Sequence, residues 1–431
     1  MYRSTEKRKS LGSPRSSDRF GFGGKIMKNL LILAFAGLGE RHNVGAPTFW
    51  KTVEGFIAAG WKVWIVDVGT KEDTPLGERD YGDGLYIIRF NPPFLKETRI
   101  RKIGCFFSLA NTVWITRKLR SEAERLIGEK GLTGENTVVY AQEVYSVCAA
   151  KKISEKYHMP IVTRFYGTVM CDKPYSMYLR IRDYPHFQAL RTEADVVIMT
   201  NDGTKGNEVL KRVHNPSKKQ FFWRNGVDYP KGTDIIPAEM QERLKGKPMI
   251  MTLCRLNLWK HVDRAISALP AVLKTCPDTM LVVCGYGPER EKLETQAREA
   301  NVAEHVIFTG KIEHELAFAY MKETDVFLSL YDLSNLGNPL FEAMRCGKPI
   351  ITLDVGATNT VVEDGVNGVL LPADGLSRLP EEICCLLSDE DERKRLGEGA
   401  KRFTDENFWT WDERIAAEIR EVTALLPPER D

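Results

Sequence analysis

No apolar stretch in this chain of 431 residues approaches the ~20 residues that a membrane-spanning helix needs. The nine cysteines are scattered, with only Cys384 and Cys385 adjoining. That pattern offers neither a zinc spacing nor a disulfide framework, and it reads as reduced thiols in a cytoplasmic protein. An excess of one charge is missing too. The 61 Lys and Arg nearly balance the 59 Asp and Glu, leaving a formal charge of +2, which gives no case for nucleic acid. No Ser-His-Asp, Cys-His or paired-carboxylate hydrolase pattern stands out. Asp389-Glu390-Asp391 spells Asp-x-Asp, but within a charge run (SDEDERKR) of the kind that opens a solvated helix. No metal is expected.

What is present is the composition of a globular protein, 43% hydrophobic and 28% charged, with length for two or three domains. Residues 1–26 hold seven Lys/Arg and two acids and no apolar run, too polar for a signal peptide. They read as a disordered basic tail, an extension upstream of a start at Met27, or a targeting arm. From Met27 strand and helix alternate. Strands are expected at Asn29–Ala36, Lys62–Asp67, Leu85–Phe90, Thr137–Ala141, Pro160–Phe165, Asp195–Thr200 and Gln220–Arg224. A polar, Pro- and Gly-containing segment at 229–247 suits a linker. A second alternation follows, with strands at Pro248–Arg255, Met280–Cys284, His305–Thr309, Asp325–Leu330, Lys348–Leu353 and Gly368–Leu371. The pattern predicts an α/β protein of two doubly wound Rossmann-like domains, 27–228 and 248–407, facing a cleft. Residues 408–431 are expected to form a C-terminal helix packing back on the first domain. Ligands of such sheets bind beyond the carboxyl ends of the strands.

One stretch carries the most chemistry: Tyr331–Pro349, YDLSNLGNPLFEAMRCGKP. A short buried strand precedes it, Gly337 frees the turn, and Leu340, Phe341, Ala343 and Met344 give a helical apolar face. The N-terminus of that helix presents unpaired N–H groups and the positive end of a dipole, which suits a diphosphate. Glu342 in the first turn is placed to accept two ribose hydroxyls. Taken alone, it is a helix-start acid favoured by the dipole.

This segment resembles the signature of the family 4 glycosyltransferases, retaining enzymes of the GT-B fold, in Glu342, Ala343, Met344, Gly347 and Pro349. The family's first Glu, eight positions before Glu342, is here Ser334. Asp332 is the nearby carboxylate proposed to stand in for it, and Pro339 removes one N–H donor from the loop. Further matches cover roughly Met27 to Ala424. They are Asn225-Gly226-Val227-Asp228 at the domain junction, Arg255 and Lys260 in CRLNLWKH, Gly285-Tyr286-Gly287-Pro288, Phe308-Thr309-Gly310, and Asp364-Gly365-Val366-Asn367-Gly368. Singly each is weak: a Gly-x-Gly is usually just a turn, and two cations at a helix entry are usually solvated. Their shared order and spacing make the case.

The resemblance implies a retaining transferase that moves a sugar from a nucleotide-diphosphate sugar, by default uridine diphosphate, to a saccharide or lipid-linked acceptor. It implies Arg255 and Lys260 on the diphosphate and Glu342 on the ribose as the catalytic set. Gly285, Ile312, Ser334, Asn335, Gly337, Asn338 and Leu340 are the expected donor contacts. Gly37, Gly45, Arg164 and Tyr166 are the expected acceptor or cleft residues, Tyr166 standing where relatives often carry His. The departing phosphate takes the acceptor proton in such enzymes, so neither a protein base nor a cofactor is required. A surface-polysaccharide role and a place in the cytoplasm, with peripheral contact at the inner membrane face, follow from resemblance only. Phe94–Arg120, with seven Lys/Arg, one acid and interleaved aromatics, is read either as a basic helix resting on anionic lipid or as a core helix with basic ends. A sugar-nucleotide epimerase and a non-catalytic sugar-nucleotide binder stand as the other readings.

Overall fold

A computed structural model describes residues 27–35, 47–68, 76–91, 101–171, 183–230, 235–333 and 336–428, excepting the side chains of 47 and 101–109. The first half contains β1 (Asn29–Ala34), α1 (Pro47–Ala58), β2 (Lys62–Val68), β3 (Gly77–Asp80), β4 (Leu85–Phe90), α2 (Arg101–Lys130), β5 (Thr137–Gln142), α3 (Val144–Tyr157), β6 (Ile161–Phe165), α4 (Tyr184–Arg191), β7 (Val196–Thr200), α5 (Gly206–Arg212) and β8 (Lys219–Trp223). Its strands form one sheet in the order β3-β4-β2-β1-β5-β6-β7-β8, parallel except for β3 against β4. Strand β1 shows why helices cover both faces. Leu31 and Leu33 enter one core cluster, while Leu30, Ile32 and Ala34 enter the other, as the two-residue period of a doubly buried strand requires.

The second half contains α6 (Ala238–Leu244), β9 (Met249–Leu253), α7 (Val262–Thr275), β10 (Met280–Cys284), α8 (Arg290–Glu299), β11 (Val306–Gly310), α9 (His314–Glu323), β12 (Val326–Ser329), α10 (Asn338–Arg345), β13 (Ile350–Asp354), β14 (Val369–Pro372), α11 (Leu379–Ser388), α12 (Glu390–Asn407) and α13 (Trp411–Thr423). Its six strands run parallel in the order β11-β10-β9-β12-β13-β14. Two sheets of this kind, each wrapped by helices, are the GT-B architecture.

Two features differ from the sequence reading, and a third agrees with one of its two alternatives. Strand β3 was not expected: all four of its residues are exposed, so no apolar alternation marks it. The expected linker contains α6, because Ile236, Met240 and Leu244 recur at helical spacing and pack into the core of the second domain. The third concerns α2. Its described part carries Ile115 and Leu119 in the core, Trp114 edge-on to Phe90, and Lys118 and Arg120 paired to Glu122 and Glu124. Over residues 110–120 this helix is a packed one. The aromatics at 94, 106 and 107 lie outside the described side chains, and residues 1–26 lie outside the described chain. Among the described residues no helix is long and apolar enough to cross a membrane.

The last helix binds the two halves together. Helix α13 lies on α1, and Trp409, just before it, meets Trp223 at the end of β8 edge-on. The junction Asn225–Asp228 is pinned to it. Val227 donates its N–H to Trp409 O at 2.9 Å, and Trp411 donates its N–H to Asp228 Oδ1 at 3.0 Å. Residue 226 has to be glycine, since a Cβ there would stand 2.5 Å from Trp411 Cα.

Candidate donor site in the interdomain cleft

Between the halves lies a cavity of about 930 Å³. Its walls include Arg255, Gly285, Ile312, His314, Asn338 and Glu342 from the second domain, Lys51 and Glu54 from α1, and Trp411 and Ile415 from α13. The second-domain residues come from the carboxyl ends of β9, β10 and β11 and from the start of α10, the edge where a parallel sheet exposes its loops.

Helix α10 begins at this edge of the cavity. Gly337 is its N-cap and supplies no side-chain acceptor to the first N–H groups, which stay available to a ligand. Asn338 is held by Asn225 of the junction, Nδ2 to Oδ1 at 2.7 Å. Leu336 donates its N–H to Asp202 O of the first domain at 3.2 Å. Thus the loop before α10 bridges the domains.

Arg255 is exposed at the end of β9, its guanidinium 5.7 Å from the Tyr286 ring centre. Gly285 has φ +135° and a Cβ there would stand 1.8 Å from Cys254 O, so the cavity floor is backbone. Glu342 is nearly buried, its side chain 7% exposed, and Oε1 meets His314 Nε2 at 2.9 Å. The bond to Glu342 raises the His314 pKa, against burial. Nearby, Lys51 reaches Asp228 at 2.7 Å. Burial pushes the Asp228 carboxyl up, but the bonds from Lys51 and from the Trp411 N–H outweigh it and hold the pKa below the usual range.

Several expected site residues stand elsewhere. Lys260 is not among the cavity-lining residues; its ammonium lies 4.0 Å from the Tyr331 ring centre, and burial lowers its pKa. The Leu340 side chain is in the core at 1% exposure, which leaves only its backbone for a ligand. Arg164 is also 1% exposed. It donates to Phe165 O at 2.6 Å and Thr200 Oγ1 at 2.8 Å and faces Glu418 of α13. The Tyr166 ring stacks on that guanidinium, centre to Cζ 4.6 Å, and its hydroxyl is buried. Neither lines the cavity: Arg164 is buried on β6 in the packing of α13 on the first sheet, and Tyr166, just after β6, is half-buried against it. Asp332, the carboxylate nearest the missing family Glu, is half-exposed and ion-paired. Its oxygens are taken by His261 at 2.6 Å and Arg264 at 2.7 Å. Gly37, Gly45, Ser334 and Asn335 lie outside the described residues.

Sequence reasoning missed His314, Lys51 and the α13 residues. Only His314 had a signal, two positions after the expected donor contact Ile312. It also passed over the particular geometry of Glu143, the N-cap of α3 just after β5, at φ 64°, ψ 170°, a region that residues with a Cβ rarely occupy. Its Oε1 accepts the Tyr166 N–H at 2.7 Å, and burial pushes its pKa up to about 7.

With this geometry in view, the chain can be set beside known proteins. Residues 237–403 match the family described as "Glycosyl transferases group 1". An uncharacterized glycosyltransferase of Methanocaldococcus jannaschii is 32% identical over 228 residues, 52% of this chain and 57% of the relative. A GDP-mannose-dependent alpha-(1-6)-phosphatidylinositol monomannoside mannosyltransferase of Mycolicibacterium smegmatis is 32% identical over 188 residues, 42% of this chain and 49% of the relative. The chain thus spans about half the length of the curated relatives it matches. Among solved structures, HepE of Anabaena in complex with UDP-glucose has a TM-score of 0.66 at 16% identity, over 91% of this chain and 99% of that one. The fold is GT-B, and residues 237–403 are similar to the group 1 glycosyltransferases.

Proposed function

We propose that this protein is a retaining glycosyltransferase that takes a sugar from a nucleoside-diphosphate sugar bound in the second domain. The observation that carries the reading is the single cavity that gathers Arg255, Gly285, Ile312, the uncapped start of α10 and Glu342. Each has a chemical part. The base lies near Ile312, the ribose hydroxyls donate to Glu342, and the diphosphate meets the α10 N-terminus and Arg255. The guanidinium forks phosphate oxygens and stabilises the charge that develops as the sugar–phosphate bond breaks. Lys260 joins it by leaving the Tyr331 face. The two cations take the part that a metal plays in other transferases, so no metal is required. The departing phosphate oxygen accepts the proton of the attacking hydroxyl, on the same face of the sugar, and the anomeric configuration is kept.

The first domain faces the acceptor, a saccharide or a lipid-linked sugar, in glycoconjugate or surface-polysaccharide synthesis at the cytoplasmic face of a membrane. Uridine diphosphate is one carrier, in keeping with the UDP-glucose complex of the structural neighbour. Guanosine diphosphate is the second, favoured by the name of the mannosyltransferase relative. The test is release of nucleoside diphosphate from a panel of UDP- and GDP-sugars, with NMR of the product anomer. Turnover that is lost in Arg255→Ala/Lys260→Ala while the fold persists supports the reading. An inverted anomer refutes retention, and isomerised donor without acceptor replaces transfer by epimerisation.

A further inference from the structure

The Glu342 carboxylate is nearly buried and is met on one side by an imidazole that the proposed chemistry leaves without a part. A buried carboxylate with no fixed partner either protonates or samples several rotamers. Here His314 Nε2 meets Oε1 at 2.9 Å. The imidazole has a second contact of its own. It is the first residue of α9 and lies edge-on to Phe318, with ring centres 4.8 Å apart at 68°. Around it stand Glu342 from α10, Lys51 from α1, Asp228 from the junction and Glu315 from its own helix. A carboxylate offers about four lone-pair directions on its two oxygens. The histidine uses one of them, so the rest stay open to the cavity that both residues line.

We propose that His314 is a positioning residue of the donor site: it holds the Glu342 carboxylate in the orientation that accepts the ribose hydroxyls, and so makes the site selective for ribonucleotides. The inference rests on reading the cavity as a nucleotide-sugar site. A carboxylate ordered before the ligand arrives forfeits no side-chain freedom on binding. Without the imidazole, Glu342 must be ordered by the nucleotide itself, and the ribose contact weakens. The base and diphosphate contacts do not pass through His314 and keep their strength.

The experiment is isothermal titration of the full chain with UDP, GDP and ADP and with their 2′,3′-dideoxy counterparts. Wild type, His314→Ala, His314→Gln and His314→Asn are compared. For the ribonucleotide that wild type binds best, His314→Ala is expected to weaken binding about tenfold, the scale of one hydrogen bond to a charged group. The dideoxy form binds all four proteins alike. Gln reaches Oε1 with an N–H and restores most of the affinity, whereas Asn, one carbon shorter, does not. If the alanine variant fails to fold, the Gln and Asn pair carries the comparison. A merely structural histidine would lower ribo- and dideoxynucleotide affinity equally, and that result overturns the proposal, as does unchanged ribonucleotide affinity in the Ala and Asn variants. Wild-type binding indifferent to the ribose hydroxyls also overturns it, and leaves the donor site standing. No binding of any of the three diphosphates overturns the donor reading and this inference with it.

Discussion

Replacing Glu418 by alanine is expected to unseat the C-terminal helix. The carboxylate is fully buried on α13 and bonded to Arg414 at 2.8 Å, with Arg164 at 3.9 Å and the Tyr140 hydroxyl donating to it. The Arg164 and Arg414 side chains are each only 2% exposed. Removing the one acid between them leaves two cations without their counter-charge in a low dielectric. Breaking a buried pair in this way costs about 3–5 kcal/mol. Each kcal/mol moves the melting point of a domain of this size by about 2–4 °C. A fall of roughly 6–20 °C follows for the unit containing α13 and the first sheet. Glu418→Gln keeps an acceptor for Tyr140 and loses only charge, so its fall is the smaller of the two. Scanning calorimetry reads both. Helix α13 also walls the cavity through Trp411 and Ile415, so Glu418→Ala should weaken nucleotide binding at temperatures where the rest of the protein is folded. A drop of less than about 2 °C, on the same scale, would refute the claim that this network ties the helix to the sheet.

Three further outcomes are expected. Gly285→Ala places a Cβ 1.8 Å from Cys254 O at φ +135°, so soluble expression or the melting point of the second domain should fall sharply; a normal melt contradicts the backbone floor. Arg255→Ala should lower nucleoside-diphosphate affinity about tenfold to a hundredfold, the scale of charge-assisted bonds, with an unchanged melting point, since the side chain is exposed. The third is a pH effect. Glu143 has a folded pKa of about 7, above the ~4.3 of a free glutamate. The folded state therefore holds a proton that the unfolded state has released, and this contribution to stability is present below about pH 4 and is lost as pH rises through 7. Denaturant titrations of wild type and Glu143→Gln should differ by a term that falls across that window, and parallel curves would contradict the buried carboxyl.

The GT-B architecture was legible because it is written in strand periodicity. Runs such as NLLILA and MLVVC are apolar without break, which is what a strand covered on both faces requires. That Arg255, Gly285, Ile312, Asn338 and Glu342 line one cavity has a different basis: they come from loops and one helix of one domain, in short motifs where glycine, proline and charge have fixed positions. The places of Arg164 and Tyr166, both outside the cavity lining, share one cause. A strand end can aim a side chain at the cleft or into the core, and here the partner that decides, Glu418, lies more than 250 positions away in sequence. Asp332 likewise has partners the sequence does not mark, His261 and Arg264. His314 and Lys51 stayed hidden because only folding brings α1, α9 and α10 around one cavity. The α6 pattern of Ile236, Met240 and Leu244 was readable, but the Pro and Gly before it masked it.

The most direct measurement is a thermal-shift and calorimetric titration of wild type and Glu342→Ala with UDP, GDP, ADP and their sugar conjugates. A ligand of the folded state raises the melting point by mass action. The account predicts a rise selective for one nucleotide base, dependent on the diphosphate, and abolished or strongly reduced in Glu342→Ala. A wild-type protein whose melting point no nucleotide moves, or one whose shift survives unchanged in Glu342→Ala, would contradict the assignment of the cleft as the donor site.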